Sequence, residues 1–212
     1  MPTDTIDDRY FDTAEWRATS ARRVVELVHA WGLLRDIRDW DGFARLWHDD
    51  GWMTATWWQG PYRDFIEVSR QSFERGVRIS HFLGNSVVDV VRRRAVAQTR
   101  MTISQRAEVD GVVCDVTCHG RFYDLFAHRD DRWGVVERRH VYERDRIDPV
   151  DPTARPELDR SLLERFPVGY RHLAYLQTRI GYEVDPDLPG IDGAALEALY
   201  ERGAQWLRAG NG

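Results

Sequence analysis

Two side chains have the types that move protons, and they stand far apart in the sequence. Asp36 follows the stretch Trp31-Gly32-Leu33-Leu34-Arg35. His81 lies in Ile79-Ser80-His81-Phe82-Leu83-Gly84-Asn85, between a predicted helix and a predicted strand. Imidazole titrates near neutral pH, so His81 can take a proton and return it. A carboxylate beside it fixes the tautomer and stabilises the imidazolium, more strongly in a dry pocket. Such a pair suits removal of a proton next to a carbonyl, followed by loss of water or another leaving group. It equally suits deprotonating an alcohol in a retro-aldol cleavage that releases formaldehyde. Neither route needs a cofactor, and none is expected. The plainer reading of Asp36 is a helix-end carboxylate bonded to backbone. The plainer reading of His81 is a core histidine bonded to a carbonyl.

Other chemistries find less support. Cys114, Cys118 and His119 do not share one strand face, and His48-Asp49-Asp50 reads as turn chemistry, so no metal site is expected. No phosphate-cradling glycine loop and no serine nucleophile elbow occurs. All 30 basic residues are arginine, which removes lysine Schiff-base chemistry. A net charge of −5 argues against a nucleic-acid partner. No apolar run approaches the ~18 residues of a membrane span, so no membrane partner is expected. The N-terminal residues are polar and acidic, unlike a secretory signal. In a strand Cys114 and Cys118 stand ~13 Å apart, too far for a disulfide. Two free thiols fit a cytoplasmic location.

The elements that must position these groups read as follows. Residues 1–12 are a polar lead-in. Thr13 to Leu34 carries Val24, Val25, Leu27, Val28, Trp31 and Leu34 at helical spacing, and Gly32 ends or kinks this helix. Asp39 to Trp47 is a second short helix, and His48 to Gly51 a turn. Trp52 to Trp58 is a strand broken by Gly60-Pro61. Arg63 to Gly76 is a third helix, and Ser86 to Arg92 a strand. Arg92-Arg93-Arg94 is a solvated turn. Ala95 to Val109, Val112 to His128 and Trp133 to Arg146 are long strands. Asp110-Gly111 and Arg129 to Arg132 are the turns between them. Arg138 shares a strand face with Val136, His140 and Tyr142. A buried arginine there would bind a carboxylate or enolate oxygen, and Asp124 is a candidate partner for it. After Ile147 come a proline-rich linker, an apolar helical stretch from Leu158 to Arg179 interrupted by Pro167 and Gly169, and a last helix from Gly193 to Leu207. That helix offers Leu196, Leu199, Tyr200, Trp206 and Leu207 for burial, with Asp192 as a cap. This order of elements indicates an α+β domain with a curved sheet around helices.

Asp36-x-x-Asp39-Trp40-Asp41, an aromatic-rich strand, Ser80-His81-Phe82-Leu83-Gly84-Asn85 and Arg132-Trp133-Gly134-Val135-Val136 resemble the SnoaL-like branch of the NTF2-like superfamily. In its two key stretches the chain is most similar to scytalone dehydratase-type members. The resemblance implies a cone: a curved antiparallel sheet wrapped around helices, with a deep apolar pocket. It covers about residues 13–147, so residues 1–147 form the expected domain. Residues 148–212 form a helical C-terminal extension, expected to pack on the core or on a neighbouring subunit. The catalytic roles of dehydratase members fall on Asp36 and His81. The resemblance places a pocket-polarity role on Arg138, and the substrate-binding candidates read beside it are Trp31, Trp57, Ser104, Asp124 and His140. A pocket histidine of the dehydratase falls near Ser104, and a pocket tyrosine near Ala55, which argues against scytalone as the substrate. The fold implies a homo-oligomer, dimer or trimer.

The expected function is a cofactor-independent lyase acting on a small apolar, aromatic molecule. A formaldehyde-releasing lyase on a lignin-derived diaryl compound, a polyketide cyclase or isomerase, and an epoxide-opening hydrolase use the same pair. A different class is a non-catalytic subunit, like the small subunit of ring-hydroxylating dioxygenases.

Overall fold

The computed structural model describes residues 8–211. Part of the expected lead-in, residues 1–7, lies outside the described residues. Asp8–Asp12 forms a short 3-10 turn that buries Phe11. Helix α1 (Ala14–Ile37) starts at Thr13, whose hydroxyl accepts from Trp16 N–H. Its buried stripe includes Val24, Leu27, Val28 and Trp31. The helix runs past Gly32 and ends at Arg38, which adopts a left-handed conformation with φ 68°. Arg38 N–H donates to Arg35 O and Asp39 N–H to Leu34 O, a paired C-terminal closure. Asp36 therefore sits in the last turn, where its position is well defined.

Helix α2 (Trp40–Ala44) is shorter than expected. Asp39 caps it by accepting from Gly42 N–H at 2.8 Å, and Trp47 already belongs to strand β1 (Trp47–Ala55). The expected turn at His48 to Gly51 is strand instead. Tertiary contacts override the local signal: His48 Nε2 lies 2.9 Å from Ala127 O. A Cβ on Gly51 would stand 2.8 Å from the Trp47 ring, so the close approach requires glycine. A second difference concerns Trp52 to Trp58. The chain reverses at Thr56-Trp57, and strand β2 (Trp58–Pro61) returns along β1. Helix α3 (Tyr62–Glu74) follows directly.

Four long strands complete the sheet: β3 (Arg78–Val91), β4 (Arg94–Val109), β5 (Val112–Arg129) and β6 (Arg132–Pro149). His81 thus lies within a strand rather than before one. Asp110 and Gly111, and Asp130 and Asp131, have φ values from 50° to 80°, the geometry of tight hairpin turns. The arginine turn between β3 and β4 is more than a solvated loop. Arg92 O accepts from Trp16 Nε1 at 2.6 Å, and Arg93 and Arg94 lie over the rings of Phe11 and Trp206. Strand order is β2-β1-β6-β5-β4-β3. β1 runs parallel to β6, and every other described pair is antiparallel.

Register shifts at Leu83/Ser86, His119/Gly120 and Leu125/Phe126 bend these strands. Val136 is the extra residue of a bulge in β6 and has no partner in the β5–β6 register. The resulting architecture is α+β, a curved sheet enclosing α1 on its concave side.

The segment after Pro149 packs on both faces of the sheet. It carries α4 (Arg160–Leu163), α5 (Arg171–Arg179) and α6 (Ala194–Arg208). From α5, Leu173, Ala174, Tyr175 and Leu176 join the main core. From α6, Leu196 and Leu199 pack on Val96, Tyr123, Leu125 and Val141 of the opposite face. A Cβ on Gly203 would stand 1.9 Å from Tyr123 Oη, so glycine there lets α6 seat against the Tyr123 ring as it lies. Asp192 does not cap α6; Gly193 holds that position without a side-chain bond. Tyr200 is not buried but 36% exposed. No helix among the described residues is long and apolar enough to cross a membrane.

Candidate active site

Asp36 and His81 meet at the seam between α1 and β3. His81 Nδ1 is 2.8 Å from Asp36 Oδ1, and His81 N–H donates to Asp36 Oδ2 at 2.6 Å. One carboxylate therefore holds the ring and the backbone of the same residue. Gly32 makes the approach possible: a Cβ there would stand 3.0 Å from Leu83 Cδ1 and 3.8 Å from His81 Cβ. With Asp36 ionised, Nδ1 carries the hydrogen and Nε2 presents a lone pair. Among the described residues no group bonds that Nε2. The His81 side chain is 3% exposed. Burial pushes its pKa below the ordinary histidine value; the bond to Asp36 opposes this, and Arg35 adds to it. A neutral imidazole at neutral pH follows.

His81 faces a narrow cavity of about 20 Å³ inside the cone. Trp31, Trp57, Phe65 and Ile103 form its apolar wall. Trp31 stands edge-on to His81, with ring centroids 5.4 Å apart. Trp57 lies at the β1–β2 reversal rather than along a strand, yet it reaches the cavity and stacks on Phe65 at 5.6 Å. His140 also lines it, with Nδ1 2.7 Å from Thr54 O. Burial lowers the His140 pKa to about 3, so its ring is neutral.

Arg138 and Asp124 form a buried two-bond pair, with Nε to Oδ1 at 2.7 Å and Nη2 to Oδ2 at 2.6 Å. The guanidinium lies between Trp31 and Phe122, 4.2 and 3.9 Å from their ring centroids. Arg138 therefore supports the Trp31 wall from behind, and its charge is matched by Asp124. Ser104 is a correction. Alternate β4 residues Ala95, Ala97, Thr99, Met101, Ile103 and Gln105 are buried on the concave face. Ser104 falls between Ile103 and Gln105 and points to the convex side, so it does not meet the cavity.

Several cavity residues are not among the sequence candidates, and Arg35, Tyr142, Leu173 and Gln177 are those that bear on its chemistry. Arg35 precedes Asp36 and lies one turn after Trp31, on the same buried stripe. Its i, i+4 spacing from Trp31 was a readable signal. Tyr142 continues the β6 face of Arg138 and His140, and its ring stacks on His140 at 5.5 Å. Burial holds its phenol well above the ordinary value, and Thr56 beside it draws it back. Leu173 and Gln177 close the cavity from α5. Thr56 Oγ1 donates to Gln177 Oε1 at 2.5 Å, which ties the β1–β2 reversal to that helix. No local pattern links the extension to the cavity, because the contact exists only after the chain has wrapped around the cone. Among the described residues no cluster of three or more histidine, cysteine or acidic groups could hold a metal.

The sequence model of the SnoaL-like domain matches residues 16–139. The chain belongs to this family. A PEP2-like protein of Fusarium vanettenii is 35% identical over 193 residues, covering 86% of this chain and 83% of that one. Pea pathogenicity protein 2 of the same fungus is 36% identical over 193 residues, with the same shares. A match to 86% of the chain must reach past residue 147, so these relatives share part of the extension. The crystal structure of a putative scytalone dehydratase from Novosphingobium aromaticivorans is 18% identical, with a TM-score of 0.50 over 64% of this chain and 94% of that one. That likeness is one of fold.

Proposed function

We propose that this protein is a cofactor-independent lyase that eliminates water from a small aromatic substrate, with His81 as the base and Asp36 as its partner. The observation that carries the reading is the 2.8 Å Asp36–His81 contact in the wall of an aromatic-lined cavity. His81 Nε2 takes the proton from a carbon next to a carbonyl. The electron pair of that C–H bond forms the new double bond, and the C–O bond at the neighbouring carbon breaks. The departing hydroxide takes the proton back from His81 and leaves as water. Asp36 stabilises the imidazolium between these steps, and the dry wall strengthens that attraction. Tyr142, a neutral phenol on the same wall, is placed to donate to a substrate oxygen. As it stands the cavity, about 20 Å³, has room for little more than one water molecule, so a substrate enters only as its aromatic wall widens.

The test is turnover of a genuine substrate by wild type, Asp36→Asn and His81→Ala, read by product mass. Loss of water gives a product about 18 mass units lighter, and loss of formaldehyde one about 30 lighter. Turnover surviving both substitutions at near wild-type rate would end the reading.

A further inference from the structure

One wall of the cavity carries donors without acceptors. The Arg35 side chain is 5% exposed. Its Nε and Nη1 have no hydrogen-bond partner among the described residues. Its nearest carboxylate oxygen is Asp36 Oδ1, 3.7 Å from Nη1, and that oxygen already receives the His81 ring. Above it are rings rather than acceptors: Phe65 at 5.6 Å and Phe73 at 5.7 Å from the guanidinium carbon. Trp31 Nε1 is likewise buried and unpartnered. The acceptors that face this space are in use. Thr54 O bonds His140, Gln177 Oε1 receives Thr56, and Gln105 Oε1 receives Gln177. A buried charge normally has a partner, because removing it from water without one is expensive. The charge on Arg138 is matched by Asp124, whereas Arg35 shares one carboxylate with His81.

We propose that Arg35 is an anion-binding subsite, and that the cavity, which has room for about one water molecule in this closed form and widens to admit a ligand, takes a single-ring aromatic carboxylate whose charged oxygens dock on Arg35 beside His81. The inference rests on the lyase reading only for what happens after binding. A guanidinium donates strong charge-assisted bonds to a carboxylate. Burial lowers the Arg35 pKa only to about 10, so the group stays cationic at neutral pH. The ring of such a ligand would lie against Trp31, Trp57 and Phe65. Arg35 and Asp36 are consecutive residues, so substrate charge and catalytic carboxylate are set by the same helical turn.

The experiment follows intrinsic tryptophan fluorescence as wild type is titrated with benzoate and with benzamide, its neutral counterpart. Trp31 and Trp57 report occupancy directly. Benzoate is expected to bind about tenfold or more tightly than benzamide. Arg35→Met loses the preference, and Arg35→Lys retains part of it. Equal affinities in wild type, no saturable benzoate binding, or an undiminished preference in folded Arg35→Met would overturn the subsite. Should Arg35→Met fail to fold, the wild-type comparison and Arg35→Lys decide the matter. Asp36→Asn separates this proposal from the lyase reading, since it lowers turnover by about a hundredfold or more there but keeps the benzoate preference here. A preference that persists while Asp36→Asn turns substrate over at near wild-type rate would sink the lyase and leave the subsite. Lost turnover without any anion preference would sink the subsite alone.

Discussion

Asp36 holds His81 at two points, accepting from its backbone N–H with one oxygen and meeting its ring Nδ1 with the other. The backbone bond fixes where the residue is, and the ring bond fixes which nitrogen faces the cavity. Replacing Asp36 with Asn keeps an acceptor for the backbone N–H but removes the charge. Turnover is expected to fall by about a hundredfold to ten-thousandfold, while thermal unfolding changes little. A melting curve beside the rate measurement checks both halves.

Gly32 sets the distance between the elements that carry this pair. Gly32→Ala gains up to about 1 kcal/mol of helix propensity. Against that gain stands a 3.0 Å contact with the movable end of Leu83. Stability should therefore stay within about 1 kcal/mol of wild type. Activity should fall, because small displacements of reacting groups carry large rate penalties. Gly32→Leu should lower both. Urea titrations beside steady-state rates distinguish the two variants.

Arg138 and Asp124 are fully buried, and burial raises the Asp124 pKa against the pull of its arginine. Removing only Arg138, as Arg138→Met, strands the carboxylate and should destabilise the fold by about 3–5 kcal/mol. Adding Asp124→Asn should recover much of that loss. A double-mutant cycle in urea measures the coupling, and additive effects would contradict the pairing.

His140 gives the stability an acid limb. The unfolded residue titrates near 6.5, whereas burial holds the folded one to about 3. Above pH 6.5 both states are neutral and the stability is complete. Between these values the unfolded chain binds a proton that the folded chain refuses. Stability should fall by ~1.4 kcal/mol per pH unit as pH drops through that window. His81, also lowered, acts in the same direction. His140→Gln should flatten the limb in melts recorded from pH 7 to pH 4.

Gly203 tests the convex face by itself. Gly203→Ala places a methyl group on Tyr123 Oη and should cost about 1–3 kcal/mol. The cavity lies on the other side of the sheet, so benzoate binding should be unchanged in the folded fraction. A shift in both readouts would mean that α6 supports the cavity as well.

Much of this fold is legible in the amino-acid sequence. The helical period marked α1 and α3, the Asp-Gly pair at 110–111 marked a hairpin, and the spacing of Arg138 and His140 gave them one face. These features are local, set by periods of 3.6 and 2 and by the few residues that tolerate left-handed turns. The His48–Gly51 strand was hidden, because its conformation answers to Ala127, Trp47 and Tyr62 rather than to its own residues. Ser104 failed as a pocket residue for a related reason: strand parity puts neighbouring residues on opposite faces, and a correspondence one residue out reverses the side.

The amino-acid sequence by itself determined the candidate pair, Asp36 and His81, and the family of folds able to join them. Side-chain chemistry and motif spacing are properties of the chain. The tertiary structure alone decided that the two residues touch, that Arg35 is left with unpartnered donors, and that α5 closes the cavity. Those are facts about distance and burial, which arise only when segments remote in sequence compete for the same space.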